Sequence, residues 1–342
     1  MDAVIPRTLT QRIGLAGCAL GLACLSGCTW LVPPYRHDLD AARARIQSGS
    51  RVAQTPCGPI EYATAGDGPP VLVVHGAGGG FDQGLIVGAP LVKAGYRVIA
   101  VSRFGYLRTP LPQDASPQAQ ADAYACLLDA LHIPQLDVLG ASAGAPSSLQ
   151  FALRHPERCK SLVLLVPVMF TPRTGGAPAA THRPGQTVLL DTVLDSDFLI
   201  WLMPRLSRAM VEKSFLGTPP AVVEHADAKE QARVARMIAQ VLPLDPRRPG
   251  LLNDMKIIDG MQRYHLEQVS VPTLVISTYD DLFGTYDAAL YTAVHIPHAR
   301  FIGYTSGGHM MVGDQDDAKA VIAAFFARGA GPGQSFAGRS PQ

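Results

Sequence analysis

One serine stands between two glycines in Gly140-Ala141-Ser142-Ala143-Gly144, directly after the apolar run "LDVL" and at the head of a segment of helical period. A serine hydroxyl is a weak nucleophile at neutral pH. It needs a base within hydrogen-bond reach and a carboxylate behind that base. Both residue types occur downstream: Tyr279-Asp280-Asp281 follows the apolar run "PTLVIST", and Ser306-Gly307-Gly308-His309 follows "ARFIGY". Such a set performs acyl transfer. The serine attacks a carbonyl, the histidine carries its proton, and one of the two aspartates holds the imidazolium. In a chain with 33 glycines a lone G-x-S-x-G says little. A strand before it, a helix after it and partners in chain order give it mechanical meaning.

The elements that must bring these groups together read as an alternation. Short apolar runs bounded by turn residues lie at 70–76, 96–102, 136–140, 161–167, 272–278 and 299–304. They are continuous rather than alternating, as strands buried on both faces are. Helical patterns at 116–133, 142–156 and 314–329 fall between them or after the last. Strand and helix in turn predict an α/β fold with a doubly wound, mostly parallel sheet, whose reactive groups sit at the carboxyl ends of strands. The alternation breaks at 168–266, where every segment has helical period, including "DFLIWLM" and "EHADAKEQARVAR". This stretch reads as a helical cap inserted in a core of 51–167 and 267–328, with 329–342 a disordered tail. Phe198, Trp201 and Met203 of the cap are candidates for a substrate pocket, and equally for ordinary core.

With 342 residues, 47% of them hydrophobic, and a formal net charge of +1, the chain is globular and lacks the basic footprint that nucleic-acid binding requires. His132 and His155 lie in helical segments. His225, His265 and His298 have no Cys or carboxylate partner at metal-ligand spacing. The sequence therefore calls for no metal and no organic cofactor, and it leaves the oligomeric state open.

At the N-terminus, Arg7 and Arg12 precede the uncharged stretch 13–28, the pattern of a secretory signal. Leu25-Ser26-Gly27-Cys28 resembles the lipobox of bacterial lipoproteins. That resemblance implies a signal peptide over 1–27, cleavage before Cys28, lipid on Cys28 and a linker over 28–50. It places the protein in the bacterial cell envelope, membrane-bound through the lipid, with the outer membrane favoured because Thr29 follows the cysteine. An uncleaved N-terminal transmembrane anchor is the competing reading. Loss of 1–27 removes Arg7, Arg12 and Asp2 and leaves a formally neutral chain. Cys57, Cys126 and Cys159 remain, enough for one disulfide of unassigned pairing. Within "AYACLLDAL", Cys126 reads as a buried inert thiol.

From 51 to 328 the chain resembles an α/β-hydrolase with triad order Ser, Asp, His. Gly140–Gly144 is similar to the family's nucleophile elbow, "PTLVISTYDDLF" to its acid segment with Thr278 where Gly is usual, and "SGGHMMVG" to its histidine loop. The register of the acid segment selects Asp281 over Asp280. "VVHGAGGGFD" resembles the loop whose amides bind the oxyanion. The resemblance implies Ala77 N–H as first donor, with Gly78, Gly79 or Gly80 as replacements, and Ala143 N–H as second; His75 is a strut rather than a base. "VSRFGYLRTP" departs from the family pattern at Ser102, Leu107 and Thr109. The expected activity is cleavage of an uncharged, small-molecule carboxylic ester through an acyl-enzyme by Ser142, His309 and Asp281. The same triad serves lactone, thioester, peptide and carbon–carbon bond hydrolysis, and an inactive envelope binding protein is the alternative from another class.

Overall fold

The computed structural model describes residues 30–172 and 194–328. The signal segment, Cys28, part of the cap and the tail from 329 lie outside the described residues. Eight strands form one sheet: β1 (Arg51–Thr55), β2 (Gly58–Ala65), β3 (Pro70–Val74), β4 (Arg97–Val101), β5 (Leu136–Ala141), β6 (Cys159–Leu165), β7 (Thr273–Thr278) and β8 (Arg300–Tyr304). Their order is β1-β2-β4-β3-β5-β6-β7-β8. β1 pairs antiparallel with β2, β2 antiparallel with β4, and every other pair is parallel.

The continuous apolar runs are explained by what covers each face. Leu72, Val74, Ile99, Val138, Leu162, Leu164 and Val275 point to one side, where they meet α3 (Pro117–Ala130) and α4 (Ala145–Arg154). Val71, Val73, Val98, Ala100, Leu139, Val163, Leu274 and Ile276 point to the other, against α2 (Phe81–Lys93). Because both faces are dry, the few polar residues of the central strands are hydrogen-bonded, Ser161 to Asp137 at 2.7 Å and Ser277 with Thr285 at 3.1 Å. The right-handed crossovers gather the carboxyl ends of β3, β5, β7 and β8 on one edge of the sheet.

Residues 30–48, expected as part of a linker, form a single helix, α1. Pro33 and Pro34 stand near its start, where a missing N–H costs little. Leu39 and Ala42 are buried on it, so the packed body begins before Arg51. Cys57 in the β1–β2 turn is disulfide-bonded to Cys126 of α3, while Cys159 is buried and free. This corrects the reading of Cys126 as a buried thiol. The apolar face of α3 runs through Tyr124, Leu127 and Leu128, and Cys126 sits off it, half-buried, toward the hairpin.

Between β6 and β7 the described chain is helical: α5 (Asp197–Leu206), α6 (Arg208–Ser214), α7 (Pro220–Glu224), α8 (Ala228–Ala239) and α9 (Arg248–Asp259). Side-chain caps set the breaks. Ser196, Ser207 and Asp227 each accept the N–H three residues on, and Ser207 ends α5 while starting α6. α10 (Thr285–His295) and α11 (Gln315–Arg328) follow β7 and β8. Two buried pairs join cap to core with opposite polarity. Arg247 of the cap grips Asp82 of α2 at 2.7 and 3.0 Å, and Arg103 of the core grips Asp254 of α9 at 2.6 Å on both oxygens.

Candidate active site

Ser142 stands one residue beyond β5 with φ +50°, a left-handed conformation that costs a non-glycine residue roughly 1–2 kcal/mol and persists only when neighbours enforce it. The flanking glycines allow those neighbours to close in. A Cβ on Gly140 would collide with the Ser148 side chain, and one on Gly144 would lie 2.5 Å from the His75 carbonyl and 2.7 Å from that of Val74. The elbow is therefore wedged between α4 and the end of β3.

The three residues singled out in the sequence meet. His309 Nε2 lies 2.8 Å from Ser142 Oγ, and its Nδ1 lies 2.7 Å from Asp281 Oδ2. The tautomer that suits both contacts donates Nδ1–H to the carboxylate and accepts the serine proton at Nε2. Asp281, 6% exposed, also accepts the Phe283 N–H at 2.8 Å and the Thr285 hydroxyl. Asp280 does other work: its carboxylate accepts the Gly307 and Gly308 N–H groups at 3.2 and 2.7 Å, holding the histidine loop. Thr278, where the family resemblance leads one to expect Gly, donates its hydroxyl to the Gly308 carbonyl at 2.8 Å and braces the same loop. The cap contributes as well, since His309 N–H donates to Gly217 O at 3.1 Å.

In the loop after β3, Ala77 is the residue that is both exposed and without an acceptor for its N–H among the described residues. Gly76 N–H donates to Gln83 Oε1 at 3.0 Å and Gly78 N–H to the Tyr106 hydroxyl at 3.2 Å. Ala77, between them, is exposed to the cavity in an otherwise buried run, and its N–H has no acceptor among the described residues. Ala143 is buried beside the nucleophile, in the short helical turn Ser142–Gly144. His75 donates Nδ1–H to Gly76 O at 2.6 Å and accepts the Arg103 N–H at Nε2 at 3.0 Å. Burial, reinforced by the Arg103 charge, pushes its pKa well below the ordinary histidine value, so it stays neutral.

A cavity of about 1020 Å³ opens over Ser142 and Ala77. Ile200, Met203, Val211, Leu216, Met237 and Met255 are among its apolar walls. Its charged lining is paired or exposed: Arg233 with Glu230, Lys229 and Lys319 with Asp316. Met203 faces this cavity as the sequence suggested; Phe198 and Trp201 do not. They pack on α1, with Tyr35 5.2 Å from Phe198 and 5.5 Å from Trp201, and Trp201 Nε1–H donates to Asp38 at 2.9 Å. The assignment of these two to the pocket is thus corrected, because the unexpected length of α1 supplies the apolar partner that the pattern seemed to reserve for substrate. Among the described residues no His, Cys, Asp or Glu group could hold a metal ion, and no helix is long and apolar enough to cross a membrane.

Sequence reasoning missed Thr285, Gln83, Tyr106, Arg103 and Asp254. Only Thr285, four residues beyond Asp281, lies close enough in sequence to have been sought.

The alpha/beta hydrolase fold model matches residues 69–316, a span that includes the elbow, the acid and the histidine. The chain belongs to the alpha/beta hydrolase fold family. It is 29% identical over 280 residues, 78% of this chain and 87% of the other, to a 2-hydroxy-6-oxononadienedioate/2-hydroxy-6-oxononatrienedioate hydrolase of Paraburkholderia xenovorans. Among solved structures it resembles an alpha/beta hydrolase fold protein from Nakamurella multipartita, at TM-score 0.63 and 28% identity, covering 81% of this chain and 99% of that one. An enol-lactonase from Burkholderia xenovorans shares the fold at TM-score 0.62 and 20% identity, covering 81% and 100%. The protein is thus a hydrolase of this family.

Proposed function

We propose that the protein is a serine hydrolase that cleaves an uncharged carboxylic ester through an acyl-enzyme. The observation that carries this is the unbroken Ser142–His309–Asp281 hydrogen-bond chain at the base of a large apolar cavity. Ser142 Oγ attacks the ester carbonyl as its proton passes to His309 Nε2, and Asp281 compensates the imidazolium. The oxyanion is received by Ala77 N–H and Ala143 N–H. Loss of one such donor typically costs about 10²–10³ in kcat. His309 returns the proton to the leaving alcohol, then takes one from the water that releases the acid. Neither a metal nor a cofactor is needed.

The relatives give a second reading, hydrolysis of a 2-hydroxy-6-oxo dienedioate, whose name specifies two carboxylates. A substrate of that charge would call for a free cation beside the nucleophile. The two buried guanidiniums nearest the loop, Arg103 and Arg247, are already matched by Asp254 and Asp82, which favours the uncharged ester. Rates on nitrophenyl esters from acetate to long chains, beside the dienedioate, test this. A clear acyl-length optimum supports the proposal; equal rates at all lengths, or turnover of the dienedioate alone, contradicts it.

The lipobox-like Leu25–Cys28 supports attachment at Cys28 in the bacterial envelope, and the Cys57–Cys126 disulfide suits the oxidising compartment that this entails. Cys28→Ser should release the protein from membranes. Retention of the variant would favour the N-terminal anchor instead.

A further inference from the structure

We propose that Asp254 of the cap, acting through Arg103 and Tyr106, positions the oxyanion donor, so that the seating of the cap sets the catalytic geometry. The inference rests on the acyl-enzyme reading above. Its basis is the peptide joining Gly76 to Ala77. That unit is planar and trans, so the direction of the Gly76 carbonyl fixes the opposite direction of the Ala77 N–H. The Gly76 carbonyl is doubly held, by His75 Nδ1–H at 2.6 Å and by Arg103 Nη2–H at 3.1 Å. Turning that carbonyl by a few tens of degrees would break both bonds and swing the donor off the oxyanion.

Arg103 is itself held by the cap. Its Nη1 and Nη2 each donate to one Asp254 oxygen at 2.6 Å. Asp254 Oδ2 also accepts the Tyr106 hydroxyl proton at 2.5 Å, and that hydroxyl oxygen accepts the Gly78 N–H at 3.2 Å. A single carboxylate on α9 therefore grips the donor loop on both sides of Ala77: at the Gly76 carbonyl through the guanidinium, at the Gly78 amide through the phenol. The network is dry, with Asp254 2% exposed and Tyr106 fully buried. Although burial disfavours its charge, the carboxylate of Asp254 keeps the Arg103 guanidinium above its ordinary pKa, and burial beside that carboxylate pushes the Tyr106 phenol well up. Both therefore keep their protons as donors. Arg103 and Tyr106 are positioning residues; neither is proposed to touch substrate.

Lysine at 103 keeps the charge but cannot present two parallel N–H groups to Asp254 and a third contact to Gly76. Phenylalanine at 106 removes only the hydroxyl. The experiment measures kcat, KM and the affinities of a trifluoromethyl ketone, which forms the tetrahedral adduct, and of its unfluorinated counterpart, which mimics the ground state. Arg103→Lys and Tyr106→Phe should each lower kcat about tenfold or more, part of what outright loss of a donor costs, with KM within about twofold. Affinity for the trifluoromethyl ketone should fall in the same ratio, while affinity for the plain ketone holds. Cys57→Ser with Cys126→Ser, which removes a stabilising link outside both the cap and this network, should lower stability and leave kcat within about threefold. Loss of kcat in the double serine variant equal to that in the two network variants, or parallel loss of both ketones, would make the network merely structural and overturn the inference. Wild type that binds the trifluoromethyl ketone while both variants match it overturns this inference alone; wild type that binds neither ketone removes the acyl-enzyme reading beneath it.

Discussion

Replacing Trp201 by alanine separates a structural role from a substrate-binding one. The indole is 2% exposed and wedged between Tyr35 of α1 and Phe198, with Ala42 in the same cluster. Truncating a buried tryptophan costs about 3–5 kcal/mol. Two further contacts are lost: the Nε1–H bond to Asp38 and the Arg205 guanidinium stacked 3.8 Å over the ring. Asp38 is partly exposed and can rehydrate, so these add no more than about 1 kcal/mol each. Urea unfolding should therefore show a loss of at least about 3 kcal/mol, while the acyl-length profile on nitrophenyl esters keeps its optimum. Met203→Ala, at a side chain that does line the cavity, should do the reverse, moving the optimum toward longer chains at smaller stability cost. A Trp201→Ala protein that loses under about 1 kcal/mol, or shifts the optimum as Met203→Ala does, would refute the placement of this residue on α1.

Other outcomes follow from the same contacts. Gly144→Ala puts a methyl 2.5 Å from the His75 carbonyl, and such overpacking costs about 1–3 kcal/mol; thermal melts should show that loss and kcat/KM should fall at least about tenfold as the elbow shifts, whereas wild-type activity would mean the elbow is not wedged. The Cys57–Cys126 bridge closes a sequence separation of 69, so the double serine variant should lose about 2–4 kcal/mol, and reductant should lower wild type but not the variant. His75 has a folded-state pKa below its unfolded one, so its contribution is present above about pH 6.5 and is lost as pH falls toward the folded pKa. The stability gap between wild type and His75→Asn in urea should narrow from pH 7 to pH 5, by up to about 1.4 kcal/mol per unit; a constant gap would mean that His75 takes up its proton in the fold as easily as in the unfolded chain.

The central strands and the order of the triad were legible because burial on two faces and the turn after each strand leave local marks. β1 and β2 were not anticipated. Their alternation runs through short or polar side chains such as Ala53, Gln54 and Thr64, which carry little pattern. α1 was underestimated because Pro33 and Pro34 read as linker residues, although near a helix start they are tolerated. That error carried Phe198 and Trp201 into the pocket, since a helix face has the same period whether substrate or another helix covers it. Asp281 and Asp280 are adjacent and chemically identical in sequence; the fold separates them by giving one to the imidazole and the other to loop amides. Arg103 and Asp254 lie 151 residues apart, and nothing local in either segment announces their pairing.

The most direct test of the account is covalent labelling of Ser142. Purified protein treated with a fluorophosphonate probe should gain one adduct, mapped to the peptide containing Ser142, and Ser142→Ala should gain none. An unlabelled wild type, or equal labelling of both proteins, would contradict the assignment of Ser142 as the nucleophile.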